Sequence, residues 1–89
     1  MRESLPIVSV VIPTYNRGAS IIDTIESIFQ NSYLDFEIIV VDQSRDNVTE
    51  EALKRYLSNP RFKYIHTDTH GAGRARNVGI AQAKGSLVA

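Results

Sequence analysis

Eighty-nine residues, 43% hydrophobic and 22% charged, make at most one small globular domain and are too apolar for a disordered chain. Ten basic side chains balance ten acidic ones, so no net positive field attracts phosphate polymers and no nucleic-acid partner is expected. Cysteine is absent, which excludes disulfides and thiolate metal sites.

From the start of the chain, polar Met1 to Ser4 lead into an apolar run that ends at Pro13. That run is too short for a signal h-region with its cleavage site or for a membrane span, so a cytoplasmic protein without a transmembrane segment is expected. The Asn47-Val48-Thr49 sequon reads as chance in that setting. Ile7 to Ile12 and Phe36 to Val41 are short, β-branched and almost continuously apolar, the pattern of parallel strands buried on both faces, and Pro13 is expected to stop the first. Between them Ile21, Ile22, Ile25, Ile28 and Phe29 share one helical face, with Ser20 and Asp23 as a capping box. A second helix turns Val48, Ala52, Leu53, Tyr56 and Leu57 inward, is capped by Asp46 and Asn47, and stops at Asn59-Pro60. Arg61 to His66 reads as a third strand and Gly71 to Gly73 as a flexible loop. A third helix is predicted from Arg74 to Lys84, with Gly85 at its C′ position. Ser86 to Ala89 begins a fourth strand.

The alternation β-α-β-α-β-α-β predicts an α/β fold: an open parallel sheet with helices on both faces. The sequence stops inside an apolar strand with neither turn nor polar tail. Residues 1–89 are therefore expected to be an incomplete domain, truncated at the start of the fourth strand.

Ligands of such sheets gather at the carboxyl ends of the strands, where strand order reverses. After the first strand, Pro13-Thr14-Tyr15-Asn16 offers hydroxyls, amides and an aromatic face suited to a ribose or a base, or forms an ordinary connecting loop. After the second, Asp42 stands on the strand end, able to accept from a base imino group or ribose hydroxyls. Ser44 follows in the same loop, where Asp and Ser also serve as turn formers. Around Gly71 to Gly73, small residues admit a ligand to the backbone while Arg74 and Arg76 bring positive charge or simply face solvent. This is no Rossmann fingerprint, since Arg76 occupies the third glycine position, and no Walker A sequence exists. His66, Asp68 and His70 would share one side of an extended chain and could hold a divalent ion, but no further ligand is nearby and no metal site is assigned.

Together these segments resemble glycosyltransferase family 2, the inverting enzymes of the GT-A fold with a Rossmann-like front half. Ser9-Val10-Val11-Ile12-Pro13-Thr14-Tyr15-Asn16-Arg17 is similar to the family's opening strand and loop, and Phe36-Glu37-Ile38-Ile39-Val40-Val41-Asp42 to its second strand. Ala75-Arg76-Asn77-Val78-Gly79-Ile80 with Ala83-Lys84-Gly85 is similar to the helix before the metal motif. The resemblance covers nearly the whole chain. It implies that Pro13, Thr14, Tyr15, Asn16, Asp42 and Ser44 meet the nucleotide of a nucleotide-sugar, commonly a UDP-sugar, with Gly71 and Arg76 nearby.

Gln43 departs from the family, which usually places a second acidic residue there. The family's DxD-type motif, which binds Mg²⁺ or Mn²⁺, and its catalytic base would follow Leu87, and no Asp-x-Asp occurs in this sequence. The resemblance therefore implies transfer of a glycosyl group to an acceptor hydroxyl with inversion in the complete enzyme, cytoplasmic or peripheral to a membrane. The fragment itself is expected to be inactive, to hold no bound metal or catalytic residue, and to self-associate through its open sheet edge. The rival from another class is a non-catalytic module of the same fold that binds a nucleotide or a protein partner.

Overall fold

The computed structural model describes residues 8–30, 36–85 and 87–88. Strand β1 (Val8–Thr14) leads through a 3-10 turn (Gly18–Ser20) into helix α1 (Ile21–Phe29), followed by β2 (Phe36–Asp42). Helix α2 (Val48–Leu53) continues as a 3-10 turn (Lys54–Tyr56), and then come β3 (Phe62–His66), α3 (Ala72–Gln82) and β4 (Leu87–Val88). The strands form one parallel sheet in the order β3-β2-β1-β4, with β1 and β2 in register from Val8–Phe36 to Thr14–Asp42. This is the open α/β sheet the sequence predicts.

Period-two alternation divides the strand side chains between two cores. Ile12, Ile38 and Val40 face α1 and α2, where they pack with Ile21, Ile25 and Leu53; Val11, Ile39 and Val41 face α3 and meet Ala75. An aromatic chain closes the first core, Phe29 lying 6.1 Å from Phe36 and 5.8 Å from Tyr56, and Tyr56 5.3 Å from Phe62. Tyr56 donates to Glu26, and burial together with that carboxylate pushes its hydroxyl up to about 12. On the opposite face α3 lies so close to the sheet that a Cβ on Gly79 would stand 2.4 Å from Val11 Cγ1.

Several local expectations are corrected. β1 runs through Pro13 to Thr14, because the Thr14 carbonyl accepts from the Gln43 N–H at 2.9 Å. Alternation then turns the donorless Pro13 nitrogen away from β2, toward the edge where β4 pairs only with Val8 and Ser9. Ser20 makes no capping box: it is already helical (φ −64°, ψ −21°), and its hydroxyl donates to the Arg17 carbonyl. Val48 and Leu57 are exposed, the inward series being Thr49, Leu53 and Tyr56, in which Thr49 accepts from the Gly18 N–H. Asp46 caps through the Val48 N–H, whereas the Asn47 side chain makes no cap bond.

Helix α3 begins at Ala72, two residues early, because Gly71 turns the chain with φ +92°. It ends at Gln82 with Ala83 extended as its C-cap, so Gly85 lies one residue beyond the C′ position. The Lys84 N–H donates instead to Glu37 at 2.7 Å and the Gly85 N–H to Ser9 Oγ at 2.8 Å. Ser9 donates to Glu37 at 2.6 Å, so a buried pair between β1 and β2 seats the connection to β4. Ile12 is buried, and Val8 and Val10 pack against the first core. The expectations for Ile7, Ser86 and Ala89 lie outside the described residues.

Candidate functional site

The chain steps outward from β1 to β2 to β3, then returns to place β4 on the other side of β1. Strand order reverses there, and loops after the strand ends diverge to leave a crevice. Two adjoining clefts occupy that end of the sheet. One, of about 220 Å³, is walled by Pro13 and Thr14 from the end of β1, Tyr15 after it, Gln43 after β2, Thr69 to Gly71 before α3, and Ala72 at the start of α3. The other, of about 300 Å³, is lined by Gln43, Ser44 and Arg45 and by His66, Asp68 and His70. Gln43 and His70 belong to both.

Thr14 is 4% exposed and its hydroxyl is buried without a hydrogen-bond partner among the described residues. An orphaned buried hydroxyl costs about 1–3 kcal/mol. Tyr15 beside it is 54% exposed, so its ring is available for stacking. Asn16 adopts φ +53°, a left-handed conformation asparagine tolerates, and its N–H donates to Ser44 Oγ at 2.7 Å. The β1 and β2 loops are thereby tied together.

Asp42 lies behind the cleft wall. It is fully buried, with Oδ1 accepting from the Ser44 N–H at 2.9 Å and Oδ2 from the Tyr64 hydroxyl at 2.6 Å. Burial, the bond to Asp42 and the charges of Asp42 and Glu50 raise the Tyr64 hydroxyl far above its ordinary value, so it stays a donor. The His66 Nε2 lies 2.9 Å from the Ser44 carbonyl, which can only accept, so that nitrogen carries a proton.

Of the residues singled out in the sequence, Pro13, Thr14, Tyr15 and Gly71 line the first cleft and Ser44 the second. Asn16 joins through its backbone, Asp42 stands beneath, and Arg76 is exposed on α3 and lines neither cleft. Sequence reasoning passed over Thr69 and Tyr64, weighed His70 only as a metal ligand, and noted Gln43 only as a departure from the family. Only Gln43 carried a signal, its place directly after Asp42. The Gln43 amide donates to Thr69 Oγ1 at 2.9 Å and to the Gly71 carbonyl at 3.1 Å, holding the loop before α3 against the end of β2.

His66, Asp68 and His70 border one cleft, yet among the described residues no three His, Asp or Glu side chains converge on a metal position. These residues do not by themselves fit the Mg²⁺ or Mn²⁺ that the resemblance implies. Nor is any helix among the described residues long and apolar enough to cross a membrane.

Fold and clefts place the molecule among open α/β domains with clefts at a reversal of strand order. Within that class the chain belongs to glycosyl transferase family 2, whose family model matches residues 9–89. The glycosyltransferase GlyG of Streptococcus pneumoniae is 36% identical over 84 residues, a match spanning 92% of this chain and 28% of GlyG. A mannosyltransferase from Pyrobaculum calidifontis, solved in complex with GDP-Man and Mn²⁺, superposes with TM-score 0.81 at 29% identity. That match covers 96% of this chain and 26% of the other. S. aureus TarS in complex with UDP superposes with TM-score 0.77 at 32% identity, covering 91% and 25%. The chain spans between 12% and 30% of the length of such curated relatives.

Proposed function

We propose that this chain is the nucleotide-binding front part of a glycosyltransferase that takes a nucleotide-sugar, a UDP-sugar in the first instance. In the complete enzyme the glycosyl group passes to an acceptor hydroxyl with inversion, the acceptor being deprotonated by a carboxylate from elsewhere in the protein. The observation that carries this reading is the cleft at the strand-order reversal, walled by Pro13, Thr14, Tyr15 and Gly71. The GDP-Man and UDP complexes of two structural neighbours support it, as does family membership.

The residues of this chain bind and orient. Pro13, Thr14, Tyr15 and Gly71 border the nucleoside, with the Tyr15 ring open for stacking on the base. Ser44 borders the adjoining cleft, and Asn16 and Asp42 fix it there through its hydroxyl and its N–H. Asp42, fully buried beneath the clefts, acts on the nucleotide through Ser44. Arg76 serves at a distance, as positive charge on α3. A divalent cation in the complete enzyme, as in the GDP-Man and Mn²⁺ complex of the mannosyltransferase, would take ligands beyond those described here. The complete enzyme works in the cytoplasm.

Ligand-observed NMR titration with UDP tests the reading. A dissociation constant of about a millimolar or weaker, near −4 kcal/mol, is expected, with UDP ahead of GDP and ADP. No sugar transfer or donor hydrolysis should accompany binding. Equal response to all three nucleotides, or none, would remove the uridine reading, and metal-dependent turnover by this chain would contradict its role as a binding part only.

A further inference from the structure

We propose that Gln43 is the positioning residue that sets the width of the nucleotide cleft, by latching the loop before α3 onto the end of β2. The inference rests on reading that cleft as a nucleotide site. Gln43 is 9% exposed and borders both clefts, and its backbone N–H is held by the Thr14 carbonyl at 2.9 Å. The orientation of its side-chain amide is fixed chemically. The Gly71 carbonyl 3.1 Å away can only accept, so the NH₂ group faces it, and the second amide hydrogen goes to Thr69 Oγ1 at 2.9 Å. Oε1 takes no hydrogen bond among the described residues, which leaves it as an acceptor for a ligand N–H or O–H.

Both ends of the latch matter for the cleft. Thr69 and Gly71 are themselves wall residues, and the Gly71 carbonyl also accepts from the Ala75 N–H at 3.2 Å, so the same amide anchors the first turn of α3. Gly71 has φ +92°, with nothing within 4 Å of a Cβ built on it. The Gln43 amide is the side-chain tie at Thr69 and Gly71, beyond the backbone bond from the Thr67 N–H to the Asp42 carbonyl at 3.0 Å. A carboxylate at position 43 could not form it, since it would set an acceptor against the Gly71 carbonyl and donate nothing. The latch therefore requires an amide, and it gives the cleft a neutral floor at this position.

Two variants of the full chain test this. Gln43→Met keeps the length and removes both bonds. Gln43→Glu keeps the shape and lets the bond to Gly71 form only when the carboxyl is protonated. The first readout, without ligand, is the backbone amide signals of Thr69, Gly71 and Ala72, together with slow exchange of the Gln43 side-chain NH₂ in the wild type. The second is UDP affinity. Gln43→Met should move the loop signals and weaken UDP about tenfold, the loss of one to two buried hydrogen bonds. Gln43→Glu should match it at about pH 7.5 and return toward wild type at about pH 5, where a carboxyl facing a carbonyl takes up its proton. Tyr15, Arg45, His66, Asp68 and His70 share the clefts and Asp42 precedes Gln43. The wild type carried through the same pH steps is the control for any effect of those groups.

Unmoved loop signals in both variants overturn the latch, and so does weakened UDP binding with the loop undisturbed. Should the Met variant fail to fold, the Glu variant decides through its pH response. If the wild type binds no UDP, the nucleotide reading falls while the ligand-free signals still decide the latch.

Discussion

Replacing Gly79 by alanine should destabilise the protein although alanine is the better helix former. A Cβ at this position would stand 2.4 Å from Val11 Cγ1 and 3.2 Å from both Val11 Cγ2 and Val41 Cγ2. Carbon atoms rest at about 3.5–4.0 Å, so the clash with Val11 must be relieved by about 1 Å of movement or more. Val11 cannot easily give way, because it is β-branched, 5% exposed and fixed in a central strand. Overpacking of this kind costs about 1–3 kcal/mol, against a gain of about 1 kcal/mol in helix propensity. The balance is destabilising by up to about 2 kcal/mol, and each kcal/mol is worth about 4–8 °C in a domain this small. Thermal melts followed by circular dichroism would show a fall of that order, and the Val11 and Val41 methyl signals would shift. Because α3 starts at the cleft, the variant should also weaken UDP binding. Adding Val11→Ala should restore part of the stability, as coupled neighbours do. A Gly79→Ala protein as stable as wild type, with Val11 unmoved, would refute the close packing of α3 on the sheet.

Three further outcomes follow from the polar interior and the sheet edge. Burial pushes the Glu37 carboxyl up, but the Ser9 hydroxyl, the Lys84 N–H and the Lys63 and Lys84 charges outweigh it and hold the group below the ordinary carboxylate value. Its contribution is complete above that ordinary value and is lost as pH falls through the lowered one, so denaturant melts should show an acid-side loss of stability that Glu37→Gln reduces. Tyr64→Phe leaves buried Asp42 one donor short and should cost about 1.5–3 kcal/mol in urea unfolding, the range for a bond to a charged group. A change within experimental error would mean that the bond contributes nothing. Among the described residues β4 covers β1 only at Val8 and Ser9, so sedimentation across a concentration series should reveal self-association through the remaining edge, and a strictly monomeric chain would contradict it.

The sheet was legible because its strands are unusually plain. Phe36 to Val41 is apolar but for Glu37, and only a strand covered on both faces calls for that. Strand order followed from the family resemblance, and the cleft walls contributed by Pro13, Thr14, Tyr15 and Gly71 followed from the strand-end rule. Side-chain pairings between distant segments were not legible. Thr49 reads as a surface helix residue until Gly18 is brought beside it, and Glu37 as an anomaly in an apolar strand until Ser9 and the Lys84 N–H surround it. Gln43 read as a lost acid, because its partners Thr69 and Gly71 lie 26 and 28 residues away in sequence. Asp42 was legible as a strand-end carboxylate, but its enclosure by Ser44 and Tyr64 was not, since both bonds depend on how the loop turns back and where β3 pairs. Helix ends were missed for a local reason: the caps here are backbone turns at Arg17–Ser20 and Gly71 rather than side-chain caps.

The central claim is that the two clefts at the strand-order reversal hold a nucleotide, and amide chemical-shift mapping during a UDP titration tests it most directly. The account predicts that the largest changes fall on Thr14, Tyr15, Gln43, Ser44, Thr69 and Gly71, with Arg76 little affected. Saturable changes that spare those residues and gather instead at the opposite ends of the strands, around Val8, Phe36 and Phe62, would contradict it.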